Sequence, residues 1–355
     1  MEEDGTIERC RLSYGFERNM VLTMGRIMCG LFFLAVSLTA SGQAVDGLVN
    51  PSQIVVKGGR LYVADDFRIK IYALESLEKI GEFGRRGQGP GEFQGRRNVN
   101  FVVRDDKIIV ASANKVCFFS LKGVFLKEFR KEPAYASYIV PASDTCFVSS
   151  GLKVERSGQT PTQRYFQVID IWNRNTGTVK EVFSALYATQ VSGMEQLLRY
   201  NFAFSADQER IFVAKEKGFN IDVFNVDGTL LNTISLDVSP IKLERSAFFQ
   251  YFSEQRNLPL AEVEQFSFSD NFPAIRSIHI SGENLYVMTW RVSNDAYEFY
   301  VLDVNGDIVG RKLVPLKSAY AYQPYPFHIC GDKVYQLVEA EDESWKLCVI
   351  ELDWD

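Results

Sequence analysis

The sequence predicts an all-β chain closed into a six-bladed β-propeller with a short helical insertion between blades 4 and 5. Three observations carry this. Apolar alternation is broken again and again by Gly-containing turns, as in Phe118-Phe-Ser-Leu-Lys-Gly-Val-Phe-Leu126, Ile171-Trp-Asn-Arg-Asn-Thr-Gly-Thr-Val179, Val223-Phe-Asn-Val-Asp-Gly-Thr-Leu-Leu231 and Val301-Leu-Asp-Val-Asn-Gly-Asp-Ile-Val309, and Asp-Gly and Asn-Gly are strong hairpin signals. The turn glycines Gly123, Gly177 and Gly228 stand roughly fifty residues apart, a blade period rather than that of leucine-rich or ankyrin arrays. Pairs of shorter apolar segments precede the hairpins, among them Ile108–Ala111, Ile211–Ala214, Leu285–Met288 and Val334–Leu337. An aromatic content of 13% with 24% charged residues suits packed sheets in an ordinary globular chain.

Residues 1–44 read as an address. Arg26, the apolar run Ile27–Leu38 and the small-residue stretch Thr39-Ala-Ser-Gly-Gln-Ala44 have the layout of a secretory signal peptide. The run is short for a bilayer span, and Met28 before Cys29 departs from a lipoprotein signal, so no stable membrane span is expected after processing. Translation is expected to begin at Met20 or Met24. The mature protein is expected to be periplasmic or secreted, and residues 45–355 to form one propeller domain.

Blade 1 (roughly 51–93) contains Leu61-Tyr-Val-Ala-Asp65, Ile69-Lys-Ile-Tyr72 and the loop Phe83-Gly-Arg-Arg-Gly-Gln-Gly-Pro-Gly-Glu-Phe93, in which glycines and proline specify a tight connection. Blades 2 to 4 follow at 98–130, 136–184 and 197–236. Residues 237–271 delay the fifth hairpin. Arg245 to Asn257 sets Phe248, Phe249 and Phe252 at helical spacing, and Pro259 opens a second short helix at 259–264. The insertion is expected to lie on the face where ligands enter, as a lid or as a cap packing its phenylalanines on the ring. Blades 5 and 6 occupy 272–316 and 325–355. The last blade lacks an outer strand of its own, so either Val45 to Asn50 supplies one or the blade has three strands. Cys117, Cys146, Cys330 and Cys348 fall in strands without metal or redox spacing, and Cys330 and Cys348 are expected to be separated by an intervening strand.

A net charge of −6 argues against nucleic acid, since neutralising phosphates needs clustered Lys and Arg. No nucleophile–base pattern, zinc-protease helix or phosphate loop occurs, so no catalytic residue, metal ligand or cofactor is assigned. The acidic turn Glu339, Glu341, Asp342, Glu343 matches no calcium loop. Candidate ligand-binding residues are the arginines around the glycine loop, Arg68, Arg85, Arg86, Arg96 and Arg97, whose guanidinium groups suit a carboxylate, sulfate or phosphate. His279 and His328 are placed on inner strands, and Tyr200 and Trp290, with the run Tyr320-Ala-Tyr-Gln-Pro-Tyr-Pro-Phe327, offer flat faces to a sugar or peptide. The function expected is an exported, non-enzymatic propeller binding an anionic or glycan-like ligand at the funnel face; a metal-dependent hydrolase or lyase and a protein-interaction scaffold are the alternatives.

The residues Leu61–Asp65, Ile69–Tyr72, Phe83-Gly84 and the Gly-x-Gly-x-Gly-Glu-Phe run ending at Phe93 resemble an NHL-type repeat, and the chain from residue 45 onward is similar to the secreted six-bladed NHL-type propellers of Bacteroides-like bacteria. The resemblance implies the propeller ring and a binding or interaction platform, some relatives being lyases or metal-dependent lactonases. Blade 1 carries the match; the other blades keep only the strand and turn pattern.

Overall fold

The computed structural model describes residues 42–94, 99–112, 115–130, 136–156, 163–189, 204–206, 210–215, 218–256, 259–263, 270–293, 295–320 and 323–352. Arg96, Arg97 and Tyr200 lie outside the described residues.

Among the described residues there are six antiparallel four-stranded sheets and one two-stranded ribbon, Ser318–Tyr320 with Gln323–Pro324. From inner to outer strand they are Pro51–Lys57, Arg60–Asp65, Arg68–Ala73 and Lys79–Phe83 in blade 1; Asn100–Val103, Lys107–Ala111, Lys115–Ser120 and Phe125–Arg130 in blade 2; Ala136–Pro141, Cys146–Arg156, Gln163–Asn173 and Thr178–Thr189 in blade 3; Phe204–Ala206, Arg210–Ala214, Phe219–Asn225 and Leu230–Leu236 in blade 4; Ser277–Ser281, Asn284–Ser293, Ala296–Asp303 and Ile308–Val314 in blade 5. Blade 6 takes Phe327–Cys330, Lys333–Glu339 and Trp345–Glu351 from the C-terminal end, and its outer strand is Gln43–Ala44. Each inner strand packs against the next, and blade 6 against blade 1, so the ring closes. The buried apolar residues say the same thing. They fall into six clusters, and each cluster fills the gap between two consecutive blades. A single blade is apolar on both faces and is buried only by its neighbours, which is why the ring is the folding unit.

Closure differs from the expectation in one respect. The outer strand comes from Gln43–Ala44, paired with Leu347 and Lys346, rather than from Val45 to Asn50. Those next residues are spent on crossing to blade 1: Val45 is buried in the seam core with Ile54, Val56, Leu337 and Leu347, and its N–H donates to Trp345 O at 2.8 Å. Blade 6 therefore has four strands.

Antiparallel order puts two kinds of connection on the upper rim, the outer-to-inner crossings and the second-to-third-strand turns. Buried polar side chains pin several crossings from below. Asp65 accepts from the Asn50 N–H at 2.6 Å, its ion-pair partner Lys70 reaches Gly47 O, and the Tyr72 hydroxyl donates to Asp46 O at 2.9 Å. In blade 2, Lys115 donates to Gly89 O at 2.6 Å and Glu128 accepts from the Gly91 N–H at 3.0 Å. In blade 6, the buried Gln336 bonds both the N–H and the carbonyl of Lys317. Each device satisfies backbone groups that a crossing would otherwise leave unpaired.

The insertion forms helices at Arg245–Arg256 and Leu260–Val263, and Phe248 packs edge-on against Phe272 at 5.9 Å. All four strand cysteines are free thiols. Cys330 and Cys348 sit on the inner and third strands, with Lys333–Glu339 between them. Burial pushes Cys117 up to about 12 and Cys146 up to about 11, which makes both poor nucleophiles.

Candidate functional site

Blade 5 departs from the regular ladder where its strands reach the upper rim. Pairing holds through Met288 and Phe299, then resumes at Val292 and Tyr297. Thr289, Trp290 and Arg291 thus stand opposite Glu298 alone, a bulge of the kind that re-aims side chains. Glu298 is 0% exposed. Its carboxylate accepts from the Thr289 hydroxyl at 2.7 Å and from Arg311 Nε at 2.7 Å, while Arg291 Nε stands 3.7 Å away. The hydrogen bond and charge of Glu298 hold the Arg311 guanidinium more firmly protonated than usual. A fully buried carboxylate is retained here because it is saturated with donors.

The same bulge presents Trp290, which is 6% exposed. Phe272, from the end of the insertion, stacks on the indole at 4.7 Å with the planes 9° apart. The Arg276 guanidinium lies 4.5 Å from the indole centre and 5.6 Å from the Tyr297 ring, a desolvated cation–π arrangement. Arg276 Nη2 also donates to Gln323 Oε1 at 3.3 Å, tying blade 5 to the crossing that enters blade 6. The Tyr297 hydroxyl shares a 2.6 Å hydrogen bond with Ser318 on that crossing. At the centre of this assembly the indole Nε1 is buried with no hydrogen-bond partner among the described residues.

Deeper in, His279 and His328 lie on the inner strands of blades 5 and 6, as expected. His279 Nε2 is 2.9 Å from the Ser277 hydroxyl, and its ring packs on Phe327 at 4.8 Å. His328 Nδ1 accepts from the Val56 N–H at 3.3 Å. Burial pushes His279 down to about 4, with help from the charge of His328, and burial alone pushes His328 down to about 4. Both imidazoles are therefore neutral near pH 7.

Around the glycine loop the described arginines are engaged. Arg68 pairs with Glu82. Arg85 donates to Glu92 at 2.6 Å, and Glu92 also accepts from the Gly89 N–H at 2.8 Å, contacts that hold its carboxyl below the usual range, the Gly89 amide first. Arg86 lies over the Phe67 ring at 5.5 Å. In the aromatic run, Tyr325 packs edge-on against Trp345 at 5.8 Å.

Reasoning from the sequence singled out Trp290 and missed its companions Phe272, Arg276, Arg291 and Glu298. The signal available was a lone Glu in the apolar strand Ala296-Tyr-Glu-Phe-Tyr-Val301, a charge placed where only paired charges survive. Chemically the assembly can bind through guanidinium groups and one unspent N–H donor. Among the described residues of the inner strands nothing fits an oxygen-rich metal cage of the lactonase type. Among the described residues the six inner strands carry no Asp or Glu, and hard cations require several such oxygens. No group of three or more His, Cys, Asp or Glu among the described residues is placed to hold a metal, and no described helix is long and apolar enough to cross a membrane.

No family model matches the chain, and no curated protein matches it either. Among solved structures, a DUF4221-family protein from Bacteroides vulgatus is similar at a TM-score of 0.49 and 11% identity, covering 85% of this chain and 92% of its own. A luciferin-regenerating enzyme matches at a TM-score of 0.40 and 10% identity, over 88% and 94% of the two chains. The Pan2 WD40 domain of Neurospora crassa matches at 0.40 and 9%, over 85% and 91%.

Proposed function

We propose that this chain is an exported, non-enzymatic propeller of NHL-type descent that binds a ligand at the upper mouth between blades 5 and 6, and that the ligand is anionic or glycan-like. One observation carries the reading: Trp290 sits on a bulge, is stacked between the insertion's Phe272 and Arg276, and keeps a buried indole N–H unspent. Buried donors are almost always satisfied, and a ligand oxygen is the acceptor this one lacks. Arg276 supplies positive charge beside it, and a ligand carboxylate or sugar hydroxyl suits an N–H donor flanked by a guanidinium group. The insertion acts as a cap, holding Phe272 through Phe248, rather than as a lid.

The test is a thermal-shift screen of sugar acids, neutral and sulfated oligosaccharides, acidic peptides and inorganic phosphate, each with and without calcium or zinc. A ligand present at a hundred times its Kd stabilises the folded state by about 2.7 kcal/mol. At least one anionic or glycan class is expected to raise the Tm of the wild type and to lose most of that effect on Trp290→Phe, which keeps the ring and removes the N–H. No shift with any class, or a shift untouched by Trp290→Phe, sinks the proposal. A shift produced by the cation alone moves the reading to the hydrolase or lyase alternative.

A further inference from the structure

At two junctions a side chain on the inner strand of one blade satisfies backbone groups on the inner strand of its neighbour. From blade 1 to blade 2 the agent is Gln53, whose amide donates to Phe101 O at 2.8 Å and accepts from the Phe101 N–H at 3.0 Å. From blade 6 to blade 1 the agent is His328, accepting from the Val56 N–H at 3.3 Å. The second junction is the seam of the ring, the place where the two ends of the chain meet. Among the described residues it is held by the two-residue strand Gln43–Ala44 and the Val45 N–H donating to Trp345 O, by the packing of blade 6 on blade 1, by the bonds of Tyr72 and Lys70 to the closing segment and by this hydrogen bond.

An imidazole accepts at Nδ1 only while neutral. Protonated, His328 turns an N–H toward the Val56 N–H and places a cation next to His279 on the adjoining inner strand. We propose that the seam between blade 6 and blade 1 is an acid-labile latch, with His328 as its proton sensor. The ionisable residues on the elements packed against His328 do not offset that charge. They are Lys57 on the inner strand of blade 1, His279 on that of blade 5, and Cys330, Lys333, Tyr335 and Glu339 within blade 6. Lys57 is paired with Asp105 and Lys333 with Glu351.

The protonation behaviour agrees with the geometry. His328 is pushed down to about 4 from 6.5, so between those values the unfolded chain holds more protons than the folded one. Stability is full above about pH 6.5 and drains as the pH falls toward 4. Carried through for one group, the folding constant drops about 30-fold between pH 7.5 and pH 5, and His279 acts in the same direction.

The experiment compares urea unfolding at pH 7.5 and 5.0 for the wild type and His328→Gln, together with amide protection at Val56 and Val45. Glutamine supplies the acceptor that Gln53 supplies at the neighbouring junction and does not titrate. The difference in acid loss between the two proteins should be about 30-fold, and Val56 and Val45 should lose protection together in the wild type ahead of amides in blade 3. Equal acid loss in both proteins overturns the latch. If the variant does not fold, the wild-type His328 imidazole is titrated by NMR. A midpoint near 4 accompanied by loss of Val56 protection supports the latch, and a midpoint near 6.5 overturns it.

Discussion

Replacing Gly84 by alanine tests whether the glycine loop of blade 1 exists for packing. Gly84 has φ +83°, and a methyl group there would overlap the ring of Phe93. The ring cannot step aside. Phe93 is 0% exposed and lies edge-on to Phe119 at 5.9 Å. Its N–H donates to Arg85 O at 2.8 Å, and its carbonyl accepts from the Gly87 N–H at 3.0 Å. The left-handed backbone costs a non-glycine residue about 1–2 kcal/mol, and overpacking a closed core adds about 1–3 kcal/mol, so Gly84→Ala should lose roughly 2–5 kcal/mol. Phe93→Ala alone should lose about 3–5 kcal/mol. In the double variant the obstructing ring is gone and only the backbone term of Gly84→Ala remains, so the pair should fall short of additivity by about 1–3 kcal/mol. Equilibrium urea denaturation of the four proteins measures this cycle. Losses that add to within about 0.5 kcal/mol would show that the glycine answers to its turn alone.

Two further outcomes follow from the same reasoning. Relative to a chain beginning at Gly42, one beginning at Leu48 gives up the closing strand, the buried Val45 and the carbonyl partners of Lys70 and Tyr72. The loss should be at least about 3 kcal/mol, since burying a valine alone is worth roughly 1.5–3 and each hydrogen bond about 1; unchanged midpoints would mean that the ring closes without it. In blade 5, Arg311→Ala strands the buried Glu298 carboxylate, whereas Glu298→Ala releases an arginine that is 53% exposed into water. Arg311→Ala should therefore be the more damaging of the two by denaturation, and the reverse order would show that Glu298 is satisfied without Arg311.

The ring was legible in the sequence because its signals are local. Hairpin glycines at Gly123, Gly177, Gly228 and Gly306 all take up positive φ, and alternating strands such as Ile108–Ala111 lie where their apolar residues require a neighbour on both faces. The insertion between blades 4 and 5 was legible for a similar reason, as a break in the period. Closure was harder to read. Gln43-Ala44 is too short and too plain to announce a strand, and its pairing with Leu347 and Lys346 spans almost the whole chain. The arginine loop stood out as a concentration of charge, but composition does not show that Arg68 and Arg85 face Glu82 and Glu92. The grouping of Trp290 with Arg276 and Phe272 depends on a bulge, and a bulge is a property of two strands in register, which no single stretch of residues displays.

That bulge also explains why the proposed site falls in blade 5. In blades 1, 2 and 6 buried and half-buried polar residues at the upper rim are consumed in holding the incoming crossing, through Asp65 and Lys70, Lys115 and Glu128, and Gln336. Blade 5 receives the longest described crossing, and there Glu298 turns to Thr289 and Arg311 within its own sheet. The crossing is held by aromatic stacking, Phe248 on Phe272 and Phe272 on Trp290, and by the Arg276 N–H donating to Met288 O at 2.8 Å. Stacking satisfies apolar surface and leaves donors free, whereas pinning spends them. A rim held in that way keeps its indole N–H available, and the occupant proposed above would complete in blade 5 what blades 1, 2 and 6 complete with the backbone of their incoming crossings.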